Sequence, residues 1–256
     1  MKRLLTLTLI FFVLISSSFA QSKRILVFSK TKGWRHSSIP NGIKFFQELG
    51  AQKGFAVDTT ENATKFNEEN LKKYNAVVFM NTTGDVLTDK QQAEFERYIQ
   101  AGGGYVGVHS ATDTEYKWDW YNGLAGAYFM SHPGPPNSNV QNGKFTTVDS
   151  KFPASAHLPA TFERKDEFYD FKSLKKDDLH FLVMLDETSY KGGKNGDFHP
   201  MAWYHEYDGG KSFYSNFGHV DDTFKEPLMA EHFWKGLEWA MAKKLKYKNA
   251  HTARIQ

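Results

Sequence analysis

The chain has no cysteine in its 256 residues. That excludes disulfides, thiolate metal ligands and a thiol nucleophile. It does not argue against a stable fold, because a chain of this length can bury a full core without cross-links. Beyond the first fifteen residues no segment approaches the ~20 apolar residues of a spanning helix, so no membrane span is expected. Neither sign of charge dominates. Lysine and arginine number 32 against 29 aspartates and glutamates, and basic residues fall in scattered pairs such as Lys72-Lys73, Lys175-Lys176 and Lys243-Lys244. Such pairs read as solvated faces, and no nucleic-acid partner is expected. The loop Lys30-Thr31-Lys32-Gly33-Trp34-Arg35 lacks G-x-G-x-x-G, which argues against nicotinamide binding.

The N-terminus has the three parts of a secretory signal peptide: Lys2-Arg3, an apolar run from Leu4 to Ile15, and Ser18-Phe19-Ala20 before Gln21. Residues 1–20 are therefore expected to be removed near Ala20/Gln21 and the product exported, to a periplasm or beyond. With no internal repeat or linker, 21–256 reads as one domain. Aromatic residues make up 16% of the chain. Part of that density belongs in a core, but Trp118, Trp120 and Tyr121 also suit a surface on which a sugar ring stacks.

Strand and helix patterns alternate through the first half, as a parallel sheet requires. Arg24 to Ser29 (R-I-L-V-F-S) predicts a buried strand. Ile39, Ile43, Phe46 and Leu49 then recur at helical spacing, with Pro40 in the first turn. Strands are predicted at Phe55–Thr59 and Ala76–Met80, and a helix opening on the Thr88–Gln91 capping box closes at Gly102. After Trp120 the pattern loosens into α+β. Strands are predicted at Phe145–Val148 and Phe181–Leu185, and a hairpin of Met201–Tyr207 and Ser212–Phe217 turns on Asp208-Gly209-Gly210. A last helix is expected from a second capping box, Thr223–Glu226.

The segment Gly102 to Thr114, G-G-G-Y-V-G-V-H-S-A-T-D-T, is a buried-strand pattern that breaks into a turn at a histidine. In open α/β folds that turn lifts one side chain into the crevice above the sheet, where nucleophiles usually sit. An imidazole there serves as base, acid or metal ligand, or only caps the strand.

Together R-I-L-V-F-S, G-W-R-H-S-S, the His109 segment, S-H-P, D-E-F-Y, H-P-M-A-W and F-Y-S-N-F-G-H resemble the trehalose-utilisation (ThuA-like) family over nearly all of 21–256. The resemblance implies a flavodoxin-like α/β fold of the class I glutamine amidotransferase type, a mostly parallel sheet flanked by helices. In those amidotransferases a cysteine stands at the strand-to-helix elbow and a histidine lies before the last helix. The matching positions here are His109 and His219, so glutaminase chemistry is not expected. The resemblance also implies carbohydrate metabolism, on disaccharides and on 3-keto derivatives of glycosides.

His36, His109 and His219 each follow a predicted strand and should open on the same carboxyl edge of the sheet, within roughly 3 to 7 Å of one another. Such a trio suits a zinc-like divalent transition metal, a metal-free acid/base set, or a pocket that only binds. His132 and His199 are added from flanking loops. Asp113 is placed to orient His109 or bind hydroxyls, Asp85 lies after the third strand, and Glu167 with Tyr169 reaches in from the second half. Asp221, two residues past His219, is placed to hold its imidazole. His36, His109, His219 and Asp113 are the expected catalytic groups; Asp85, Trp118, Tyr121, His132, Glu167, Tyr169 and His199 are expected to bind substrate. The leading reading is an exported carbohydrate-active enzyme using histidine acid/base or metal-assisted chemistry. The alternatives are a sugar-binding module without turnover and an amidotransferase-like scaffold for a protein partner.

Overall fold

The computed structural model describes residues 23–250; the leader expected at 1–20 lies outside them. Ile25 to Phe28 are all buried, so β1 (Arg24–Phe28) is a central strand with apolar cover on both faces. The chain then crosses over through α1 (Ile39–Lys53), with Pro40 in its first turn and Gly54 at φ 77° ending it. β2 (Ala56–Thr60), the single-turn α2 (Glu68–Leu71), β3 (Ala76–Met80), α3 (Asp89–Gln100) and β4 (Gly104–Val108) follow. Both hydrogen bonds of the Thr88/Gln91 capping box are present at the start of α3. Next come α4 (Asp119–Ala125), β5 (Tyr128–Ser131), β6 (Val140–Thr147), β7 (Thr161–Glu167), β8 (Asp170–Lys172), β9 (His180–Asp186), β10 (Pro200–Tyr207), β11 (Gly210–Ser215) and α5 (Pro227–Ala240).

Nine strands form one sheet in the order β2-β1-β3-β4-β11-β10-β9-β6-β7, while β5 and β8 pair separately. The first five strands in that order are mutually parallel; β10 and β6 run against the others, which leaves β9 and β7 pointing with the parallel set. This is the expected α/β flavodoxin-like arrangement with an α+β second half. Tyr207 pairs Gly210 across a two-residue turn, and the positive φ of Asp208 and Gly209 matches the twist of the hairpin.

One apolar core lies under α1 and α5 and includes Phe46, Val78, Phe213, Phe233 and Leu237. The other lies under α3 and α4 and is built from aromatic rings: Phe28, Phe79, Phe95, Tyr105, Tyr121 and Trp203. Two expectations need correction. The second capping box does not start the last helix: Thr223 sits in a 3-10 turn, Asp221–Lys225, and α5 begins at Pro227 with Glu226 as its cap. Pro227 suits the first helical turn because no amide hydrogen is needed there. The density of aromatics around Trp118 is core. Trp118 and Tyr121 are buried in the second cluster, with the Trp118 indole donating to Glu96 of α3 and the Tyr121 hydroxyl donating to the Ala111 carbonyl.

Candidate active site and metal centre

β1, β4 and β11 run parallel, so their carboxyl ends share one edge of the sheet, and a histidine follows each of them there. His36 stands in the loop after β1 and His109 directly follows β4. His109 has φ 46°, a left-handed conformation that costs a non-glycine residue of order 1 kcal/mol. That turn throws the imidazole up from the strand end. After β11, Gly218 at φ 120° reverses the chain into His219. A Cβ at Gly218 would also meet Val108 at 3.0 Å and Phe224 at 3.1 Å, so only glycine fits.

The fourth member comes from β7, the last strand of the sheet, whose end folds back over the loop after β11. Asp166 accepts hydrogen bonds from the Gly218 and Val220 amides at 3.2 and 3.3 Å, on either side of His219. The next residue, Glu167, then points its carboxylate among the histidines. Glu167 Oε2 lies 3.1 Å from His109 Nε2 and 2.9 Å from His219 Nδ1, and those two nitrogens are 3.3 Å apart. The His36 ring centroid is 4.9 Å from that of His109 and 5.2 Å from that of His219. One ligand atom from each of His36, His109, Glu167 and His219 lies within 4.8 Å of the others.

The surroundings fix these groups. His109 Nδ1 is 2.8 Å from the Asn216 carbonyl, to which it donates, and this turns Nε2 toward Glu167 and His219. The Asn216 side-chain amide lies 3.2 Å from the same Nδ1, a weaker competing contact. Asn139 donates to the other carboxylate oxygen, Glu167 Oε1, at 2.7 Å. Burial pulls the His36 imidazole down to about 2, reinforced by His109 and His219, which holds the ring neutral, the form that can offer a lone pair. His219 is moved up, because its hydrogen bond and charge contact with Glu167 outweigh its desolvation. Burial also works against the Glu167 charge, but its two histidine hydrogen bonds outweigh that and hold it well below the usual carboxylate range.

Above the cluster opens a cavity of ≈ 540 Å³, inside the roughly 300–1,000 Å³ range of small-molecule sites. Its lining is Trp34, Arg35, His36, Ser37, Asp113, Phe129, His132, Asn139, Glu167, Tyr169 and His219. The Tyr169 ring packs 4.2 Å from both His109 and Phe129. Burial raises Asp113, partly offset by the hydrogen bond it accepts from Tyr116 at 2.6 Å. A larger groove of ≈ 750 Å³ beside β2 has no histidine among its described lining residues.

The expected trio of His36, His109 and His219 is thus together, and Asp113, His132, Glu167 and Tyr169 share its cavity. The other placements are corrected. Glu167, not Asp113, contacts His109. Asp85 is half exposed and faces Lys117 at 3.9 Å outside the cavity. Trp118 and Tyr121 are core. His199 lies fully buried behind the site, between Glu187 at 2.7 Å and the Tyr169 carbonyl at 2.9 Å. It braces the segment that carries Tyr169 without lining the cavity. Asp221 makes no hydrogen bond to His219; it accepts one from Ser37, and its charge helps raise His219. Sequence reasoning missed Trp34, Ser37, Phe129, Asn139 and Asn216. Trp34, Ser37 and Asn216 lie within the quoted segments G-W-R-H-S-S and F-Y-S-N-F-G-H, so their proximity to a histidine was the available signal.

The fold is of the glutamine amidotransferase-like α/β type, with a histidine at the elbow. The chain belongs to the ThuA family, described as trehalose utilisation, whose model matches residues 24–240. Among solved structures, a ThuA-like protein from Bacteroides uniformis ATCC 8492 is 24% identical, with 90% of this chain and 96% of that chain covered at a TM-score of 0.72. A second, from Parabacteroides merdae ATCC 43184, is 20% identical, with 88% and 92% covered at 0.70. PurLQS from Thermotoga maritima is 9% identical, with 85% and 99% covered at 0.52, a likeness of fold alone. No curated protein matches the sequence. Among the described residues no helix is long and apolar enough to cross a membrane.

Proposed function

We propose that this chain is an exported carbohydrate-active enzyme that holds a divalent transition metal at His36, His109, His219 and Glu167 and acts on a glycoside or its 3-keto derivative. One observation carries the metal. Three donor atoms, His109 Nε2, His219 Nδ1 and Glu167 Oε2, converge in a largely buried space, 2.9 to 3.3 Å from one another. That is the spacing of neighbouring ligands around one tetrahedral ion with bonds of about 2.0–2.2 Å. Three imidazoles and one carboxylate form the nitrogen-and-oxygen donor set that zinc-like ions prefer. The carbonyl behind His109 and the Asn139 amide behind Glu167 are the supporting hydrogen bonds such a site needs.

A metal bound there supplies Lewis-acid polarisation of a substrate oxygen or acidifies a water. Asp113, kept up by burial, stands in the cavity wall where it can hold or take a proton. A 3-keto group acidifies the neighbouring C2 proton, so a carboxyl in that position permits elimination, hydration or isomerisation. Carbohydrate as the substrate class is supported by the family and by the aromatic walls of the cavity, and export by the leader pattern at 1–20.

The test combines metal analysis with turnover. Purified protein should carry about one equivalent of a transition metal, and His36→Ala and His219→Ala should lose it. Product formation from a panel of disaccharides and their 3-keto forms should fall with chelator and return with added zinc. Metal-free protein with full turnover would defeat the metal, and binding without turnover would leave a sugar-binding module. N-terminal sequencing of protein from its host should read Gln21 or a close neighbour.

A further inference from the structure

Trp34 is 73% exposed, one of three large apolar side chains exposed among the described residues, and it lines the cavity over the histidine cluster. Every other tryptophan is buried or half-buried. The Trp34 segment is not a loose tip. The Gly33 amide donates to Thr83 Oγ1 at 3.1 Å, that hydroxyl donates to the Trp34 carbonyl at 3.0 Å, and the Lys32 amide donates to the Thr83 carbonyl at 2.7 Å. On the other side Arg35 pairs with Glu61 at 2.7 Å. The backbone is thus fixed on both flanks while the indole is left in water at the mouth of a pocket. The polar chemistry lies deeper, where His219 and Glu167 share the lining with Phe129 and Tyr169.

We infer that Trp34 forms an outer subsite that stacks on the apolar face of a second pyranose ring, so the ligand is a two-ring glycoside whose inner ring lies against the histidine cluster. This rests on the carbohydrate reading above and adds the residue that holds the outer ring. An indole face offers a broad, rigid apolar surface at little cost in side-chain entropy. A sugar ring presents C–H bonds on one face and hydroxyls around its rim, which matches an aromatic plane in a lining shared with Arg35 and Ser37. A single-ring sugar held at the inner end would leave the indole exposed.

The probes are trehalose and methyl glucoside, titrated by calorimetry into the full chain, Trp34→Ala and Trp34→Phe. Trehalose affinity should fall about tenfold or more in Trp34→Ala and stay within about threefold in Trp34→Phe, which keeps an aromatic face. Methyl glucoside affinity should change by less than about twofold in either variant. Wild-type tryptophan emission should shift to shorter wavelength with trehalose, and Trp34→Ala should lose that shift. Equal losses for both sugars, or none for trehalose, would overturn the outer subsite while leaving a sugar-binding pocket. Failure of both sugars to bind wild type would overturn the carbohydrate reading and this inference with it.

Discussion

His109 shows how a single position can be held against its own preference. Its left-handed backbone is unfavourable for histidine, and its Nδ1 is committed to the Asn216 carbonyl, yet together they aim Nε2 at the cluster. Asparagine tolerates that backbone region better than most residues and cannot replace the imidazole as base or ligand. His109→Asn is therefore expected to keep thermal stability within about 1 kcal/mol of wild type. Turnover should fall by ~10²-fold or more, because the proposed metal loses one of its four ligands. Thermal denaturation and product assays on the same preparation check this. A variant that retains full turnover would remove His109 from the chemistry. A variant that unfolds would instead make it a core histidine.

Among the elements, β7 contributes most to the site and was least legible in the sequence. Its residues T-F-E-R-K-D-E alternate between exposed and inward positions, but the inward set includes Arg164 and Asp166, both buried, so a search for alternating apolar residues passes over it. Arg164 lies 3.3 Å from Asp166 without hydrogen-bond alignment, and it also donates to Thr223 and stacks over Phe217. Asp166→Ala would take the buried carboxylate from the Arg164 guanidinium, leaving it the half-exposed Glu226 at 3.4 Å, and release the two amides flanking His219. A loss of about 3–5 kcal/mol is expected, and Asp166→Asn, which keeps an acceptor, should lose less. Urea unfolding of both variants measures the difference; equal losses would show that the amide contacts contribute nothing. The parallel half was legible because its apolar runs, caps and turn residues agree locally. The short β5 and β8 strands were not, since neither has a periodic pattern long enough to read. The three histidines were placed correctly from strand ends alone. Asp85 failed because following a strand sets the edge but not the direction of a side chain, and Trp118 and Tyr121 failed because aromatic composition does not separate a core from a surface.

At the scale of the whole molecule, buried histidines remote from the site set the expected response to acid. His232 in α5 joins distant parts of the chain, donating from Nδ1 to the Ala154 carbonyl at 2.7 Å and lying 3.1 Å from Ser215 Oγ of β11. Burial pulls it down to about 4 despite the Ala154 hydrogen bond, and His157 and Arg164 nearby press in the same direction. His205, buried under α4, is also lowered, first by desolvation. In the unfolded chain a histidine takes up its proton near pH 6.5. As pH falls from about 6.5 to 4 the unfolded state binds a proton that folded His232 refuses. Stability is therefore full above that window and drains away within it, by up to about 3 kcal/mol from His232 alone. His232→Gln keeps polar atoms near Ala154 and Ser215 but cannot titrate. It should cost stability at pH 8 and yet show a shallower decline between pH 7 and 5 than wild type. Denaturant midpoints at pH 8, 7, 6 and 5 for both proteins, taken with chelator so that metal release does not contribute, provide the comparison. Parallel pH curves for variant and wild type would show that His232 accepts its proton inside the fold, and that the acid sensitivity lies elsewhere.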